Sequence, residues 1–151
     1  MAKAVAAGGM RVRKAERADI AQLQDLCRQL GYPSSEEQVG ARFDAIEKAE
    51  EHALFVAEES GGAVVGFVGV FISRTIEADP RGEIGGLVVD ENRRSRGVGE
   101  LLMARAEAWA REKGCAEMSV RSNVVRERAH AFYERIGYRH VKTQKTLRKD
   151  L

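Results

Sequence analysis

Cysteine is scarce: 151 residues contain two, Cys27 and Cys115, far apart and without a CxxC or metal-ligand spacing. That excludes a disulfide framework and a structural zinc site, no metal is expected, and a reducing cytoplasm is the expected compartment. Long apolar runs are also missing. The longest, Ala63 to Ile72, is interrupted by two glycines and falls short of the roughly 20 residues a membrane helix needs, so a soluble chain is expected. Residues 1–9 lack the apolar centre of a signal peptide and read as a disordered leader ahead of a single domain over 10–151. Neither sign of charge dominates, since 25 Lys and Arg face 23 Asp and Glu for a formal net charge of +2. No overall field points to nucleic acid, and Arg121, Arg126, Arg128, Lys142, Lys145, Arg148 and Lys149 form no recognised binding motif. Basic recognition must therefore be local. With 44% hydrophobic and 32% charged residues, the composition is that of one globular domain with a sizeable core.

What is present is a regular succession of apolar patterns. Met10 to Lys14 is strand-like, and Asp19 opens a helix in which Ile20, Leu23, Leu26, Cys27 and Leu30 keep helical spacing as far as Gly31-Tyr32-Pro33. A second helix starts at Ser34 or Ser35, because Ser34 with Glu37 and Ser35 with Gln38 both match a capping box, and Val39, Phe43 and Ile46 form its apolar stripe. Its other face carries Glu36, Glu37, Asp44, Glu47, Glu50 and Glu51 against Arg42 and Lys48, a pattern that suits either plain solvation or attraction of a cation. Ala53 to Glu58 and the apolar run from Ala63 make two strands around Ser60-Gly61-Gly62. Beyond Asp79-Pro80-Arg81-Gly82 another strand leads into a helix with Val98, Leu101, Leu102, Ala106 and Trp109 on its buried side. Glu117 to Arg121 is the next strand. Ala129, Phe132, Tyr133 and Ile136 stripe a last helix ended by Gly137, and His140 to Leu151 is expected to supply a final strand. This order predicts an α/β (α+β) fold, with a mixed, mostly antiparallel central sheet of six to seven strands flanked by about four helices. Its parallel pair is joined by the helix over 97–113.

The chemistry concentrates between Glu83 and Leu102. A buried strand, Glu83 to Asp90, runs into Arg93-Arg94-Ser95-Arg96-Gly97-Val98-Gly99-Glu100, a basic glycine turn that opens a helix. First-turn N–H groups, the positive end of the helix dipole and arginine donors together suit phosphate, here a diphosphate. A Walker A loop would place Lys directly after its second glycine, and none follows Gly97 or Gly99. A dinucleotide fingerprint would place a third glycine where Leu102 stands, in a unit at the start of a βαβ fold, whereas this strand follows a β-hairpin.

The remaining pattern, Arg94-x-x-Gly97-x-Gly99, resembles the acetyl-CoA motif of the GNAT N-acetyltransferase superfamily. Phe132-Tyr133-Glu134-Arg135-Ile136-Gly137-Tyr138, after the next strand, is similar to the second motif of that family, and the element order agrees with its fold over roughly residues 10 to 151. The resemblance implies that Leu87, Val88 and Val89 present their main chain to the pantetheine arm. It implies equally that Ser95, Arg96, Gly97, Val98, Gly99 and Glu100 supply loop amides to the pyrophosphate, with Arg93, Arg94 and Arg96 balancing its charge. A Cβ at 97 or 99 would hold the diphosphate away from those amides.

Acetyl transfer to an amine requires a neutral amine, stabilisation of the developing oxyanion and a proton for the leaving thiolate. The family match makes Tyr133 the acid, although its position on the apolar stripe also suits packing. Glu83 matches a position from which some relatives deprotonate the amine, and His130, one turn before Tyr133, can orient it or act as base. Asn123 suits either the pantetheine amides or a plain turn. Many relatives carry Asn where this chain has Arg126, so either Asn123 replaces that amide or Arg126 contacts cofactor or substrate through its own donors. Cys27 and Cys115 read as packing residues, which disfavours an acetyl-cysteine route.

The resulting expectation is an acetyl-CoA-dependent N-acetyltransferase acting on a primary amine by direct attack in a ternary complex. The acidic second helix suggests a cationic acceptor, and an open strand edge suggests a homodimer. The alternative is a non-catalytic acyl-CoA-binding sensor.

Overall fold

The structure, a computed structural model, describes residues 9–151; residues 1–8 of the expected leader lie outside them. Two compact units divide the chain, one ending at Val120 and the other spanning Arg121–Leu151.

The first unit is built on strands β1 (Arg11–Lys14), β2 (His52–Glu58), β3 (Val64–Ser73), β4 (Arg81–Val89) and β5 (Met118–Val120), side by side in that order. The first three neighbouring pairs are antiparallel and β4–β5 is parallel. That mixture follows from chain length: short hairpin connections reverse β2 into β3, whereas a parallel neighbour needs a crossover, here the helix α3 (Val98–Glu112). Among the described residues the sheet has five strands, fewer than the expected six to seven. His140 to Leu151 forms no strand. It holds three apolar residues, Val141, Leu147 and Leu151, all exposed, and so has no apolar face to bury against a sheet.

Helices cover both faces of the sheet. On one, α1 (Ile20–Leu30) and α2 (Glu36–Lys48) bring Leu23, Leu26 and Val39 against Val56, Val64, Phe67 and Val88. Of the two possible capping boxes, Ser35 with Gln38 forms: Gln38 N–H donates to Ser35 Oγ (3.1 Å) and Ser35 N–H to Gln38 Oε1 (2.9 Å). The opposite face takes α3, whose Val98, Leu102, Met103, Ala106, Trp109 and Ala110 are buried. Two of these, Met103 and Ala110, broaden the stripe seen in the sequence. Gly82 is required here, since a Cβ would lie 2.4 Å from Met118 Sδ and 2.8 Å from Ala110 Cβ.

An ion network ties the start of the chain to the sheet. Arg13 donates to both oxygens of the buried Asp19 (2.8 and 2.9 Å) and to Glu58 (2.9 Å), which also accepts from Arg11 (2.6 Å). No helix among the described residues is long and apolar enough to cross a membrane.

The second unit contains α4 (Glu127–Arg135), on which Phe132 and Tyr133 meet edge to face at 5.2 Å, with Tyr138 edge-on to Tyr133 at 5.9 Å.

Candidate active site

β4 supplies the framework. It begins at Arg81, two residues before the expected start at Glu83, and pairs with β5 only from Gly82 to Ile84. From Gly85 to Val89 no strand among the described residues lies on that side, which leaves a length of main chain available to an extended ligand. Within this stretch Val88 is buried in the α1–α2 core, while Leu87 and Val89 are half-buried. Against β3 the register slips: Gly69 faces Gly86 and Val70 faces Ile84, so Gly85 is an extra, bulged residue.

Beyond Val89 the chain makes a 3-10 turn over Glu91–Arg93 and then enters α3. Ser95 (φ 63°) and Gly97 (φ 78°) are both left-handed, and a Cβ at Gly97 would meet nothing within 4 Å. Glycine is thus demanded at 97 by backbone geometry and not by crowding in the protein, and the space beside it is open to a ligand. No side chain among the described residues caps the helix, and its own hydrogen bonds begin with Leu101 N–H donating to Gly97 O (3.1 Å). The preceding N–H groups of Val98, Gly99 and Glu100 accordingly have no acceptor within the helix.

The three arginines of the loop are not equivalent. Arg93 is bound to Glu59 at the β2–β3 turn, an ion pair that holds the guanidinium above, and the carboxyl below, their ordinary ranges. It is therefore committed to the scaffold. Arg94 and Arg96 are exposed, and Arg96 adds to the field that lowers Glu59. Gln29 at the end of α1 accepts the Glu91 N–H (3.0 Å), so the loop is pinned from two sides. Neither Gln29 nor Glu59 carried a sequence signal, because each acts through a contact with a residue tens of positions away.

Among the described residues Glu83 is one of two buried charged ones, at 7% exposure, where a strand-edge carboxylate would ordinarily be solvated. It faces Phe71 across β3 and Ser119 across β5; Phe71 in turn faces His52, whose ring stacks on it at 5.3 Å. The acidic face of α2 is partly occupied by ion pairs: Asp44 accepts from Arg17, and Glu51, beyond the helix, accepts from Arg74 (2.6 Å). A groove of about 680 Å³ beside Asp44 is lined by Glu36, Glu37 and Arg17 among others. Cys115 is buried, and burial pushes the half-buried Cys27 thiol up, which keeps it protonated. Among the described residues no cluster of three or more His, Cys, Asp or Glu could hold a metal ion.

The second unit carries the other expected residues. Burial raises the Tyr133 phenol above its ordinary value, opposed by the charge of Arg126, so the group retains its proton at neutral pH. Asn123 accepts the Val125 N–H at Oδ1 (3.1 Å), the geometry of a turn asparagine. His130 directs Nε2 to the Asn123 carbonyl (2.9 Å), and this bond orients the ring toward the turn. Ser122, which sequence reasoning missed, has a shielded Oγ with no hydrogen-bond partner among the described residues.

Residues 17–138 match the Acetyltransferase (GNAT) family. The chain is 32% identical over 133 residues to an aminoglycoside N(6')-acetyltransferase type 1 of Stenotrophomonas maltophilia, covering 84% of each chain. It is also 32% identical over 148 residues to glucosamine 6-phosphate N-acetyltransferase 1 of Oryza sativa subsp. japonica, covering 91% of this chain and 88% of that one. Among solved structures, the aminoglycoside acetyltransferase AAC(6')-Iy bound to the bisubstrate analog CoA-S-monomethyl-acetylneamine superposes with a TM-score of 0.84. That likeness covers 94% of this chain and 99% of the other at 23% identity, and speaks for the fold alone.

Proposed function

The chain belongs to the GNAT family of acetyltransferases and is an N-acetyltransferase, and from that premise we propose that it moves the acetyl group of acetyl-CoA to a primary amine on a small molecule, by direct attack in a ternary complex. The observation that carries this reading is the loop from Arg94 to Gly97, where two left-handed residues precede a helix start without a cap and two exposed arginines flank open space.

These residues fit a diphosphate. Gly97, Val98, Gly99 and Glu100 offer consecutive N–H donors, Arg94 and Arg96 offer charge, and the length of β4 from Gly85 to Val89 beyond its pairing with β5 offers main-chain partners on that side to an arm carrying amides. Acetyl-CoA supplies the activated acyl thioester. Glu83 takes the proton of the ammonium, directly or through water, and the freed amine attacks the carbonyl carbon. The C–N bond forms, the C–S bond breaks and Tyr133 Oη gives its proton to the sulfur, while the acylated nitrogen loses its second proton to solvent, from which the phenolate is reprotonated. Burial keeps that phenol in its protonated form, the state a general acid needs. The amine acceptor follows the relatives, whose names specify an aminoglycoside, glucosamine 6-phosphate and an aminoalkylphosphonate.

The test is thiol release from acetyl-CoA over a panel of amines, with Tyr133→Phe in parallel. Turnover with at least one amine is expected, and loss of the acid lowers kcat by about 10² to 10⁴ with the KM for acetyl-CoA little changed. Tight binding of acetyl-CoA without transfer to any amine would instead favour the sensor.

A further inference from the structure

We infer that three glycines on β3 and β4 form the seat of the acceptor and select a primary amine borne on a saturated ring; this rests on the acetyltransferase reading above. Gly69, Gly85 and Gly86 lie together at the bulge, and the fold requires glycine at none of them. None has a left-handed φ, and the nearest protein atoms to a Cβ built there would be 3.9 Å away at Gly69 and 3.7 Å away at Gly85 and Gly86, ordinary van der Waals distances. Gly66 and Gly82 on the same two strands are the contrast, because a Cβ there would come within 2.9 Å of Val88 O and 2.4 Å of Met118 Sδ. Interior strand positions ordinarily favour β-branched or aromatic side chains, and glycine weakens them. Three such positions, side by side and free of any packing demand, mark a place where something other than the protein approaches the backbone.

The surroundings say what approaches. The built Cβ positions point toward Leu54 from Gly69, toward Phe71 from Gly85, and toward Leu30 and Phe67 from Gly86, so all three open on the face of the sheet that carries α1. The result is a strip of bare main chain walled by two aromatic rings and two leucines. Glu83, paired with Phe71 across the strands, lies on the same face two residues before the bulge. A flat, apolar-sided strip with a buried carboxylate at one end matches a ring whose face lies on the backbone and whose amine reaches the carboxylate. Stacking of His52 holds the Phe71 ring in place as the wall.

The experiment measures kcat/KM with glucosamine and an aminoglycoside as ring amines, and with spermidine and a linear alkylamine as unbranched ones. Wild type is compared with Gly69→Ala, Gly85→Ala and Phe71→Leu, and the KM for acetyl-CoA and the melting temperature of each variant are recorded. One added methyl on the strip is expected to lower kcat/KM for ring amines by about tenfold or more relative to unbranched amines with the melting temperature nearly unchanged, and in Gly69→Ala, outside the length of β4 offered to the cofactor arm, with the KM for acetyl-CoA nearly unchanged as well. Phe71→Leu is expected to shift the ratio in the same direction. Equal losses for both classes, an unchanged ratio, or unfolding of the alanine variants would overturn the inference. Absence of turnover by the wild type would remove the acetyltransferase reading itself, whereas turnover with unaltered selectivity removes only the role of the glycines.

Discussion

Asp19 illustrates how a single side chain couples charge to stability. Its burial pushes the carboxyl up, but the two bonds from Arg13 and one from the Glu16 N–H more than reverse this and leave it below the usual carboxylate range. A group whose folded pKa lies below its unfolded value stabilises the fold above the unfolded value and loses that contribution as pH falls through the folded one. Stability is therefore expected to hold from neutrality to about pH 5 and to decline below the ordinary aspartate value near 4. Asp19→Asn is expected to cost about 1.5–3 kcal/mol at pH 7, from charged hydrogen bonds lost by Arg13, and to flatten the acid limb. Urea midpoints at pH 7 and pH 3 measure both effects. Nothing in the sequence announces this network, because Arg13 and Glu58 are 45 positions apart and meet only once β1 and β2 pair.

At the scale of elements, helical spacing and turn chemistry made most of the fold legible: the stripes of α1, α2 and α3, the Ser35 cap and the crossover between β4 and β5 all stand where periodicity put them. The final strand failed because pattern alone cannot tell an extended polar segment from one with a sheet to join. The junction of β4 with α3 was legible through its glycines, yet the separate fates of its arginines were not, since Glu59 competes for Arg93 from another hairpin. Gly97→Ala tests the junction as a unit. A left-handed alanine costs about 1 kcal/mol, and its Cβ would occupy the space offered to the diphosphate. The expected result is a similarly small loss of stability by denaturant titration and about a tenfold rise in the KM for acetyl-CoA, as for one lost charged hydrogen bond, with kcat retained.

For the molecule as a whole, a net charge of +2 conceals a division of labour: basic groups gather at one helix start, while a buried carboxylate stands within the sheet. Sequence alone pointed to the proposed donor loop, because a phosphate cradle is written in contiguous residues. On the acceptor side it named Glu83 but not its surroundings, because Gly69, Phe71 and Gly85 come beside Glu83 only through strand register. That register has an arithmetical side. Both ends of β4 are in step with β3, with Ile84 opposite Val70 and Gly86 opposite Gly69, so Gly85 is surplus to the ladder. A chain shortened by that one residue would alternate without interruption, keep Val88 in the core and leave every other cross-strand pair intact. The Gly85 deletion is therefore expected to retain a native circular-dichroism spectrum and cooperative unfolding while acetyl transfer collapses. A lineage that lost the residue would keep a stable protein and lose the enzyme.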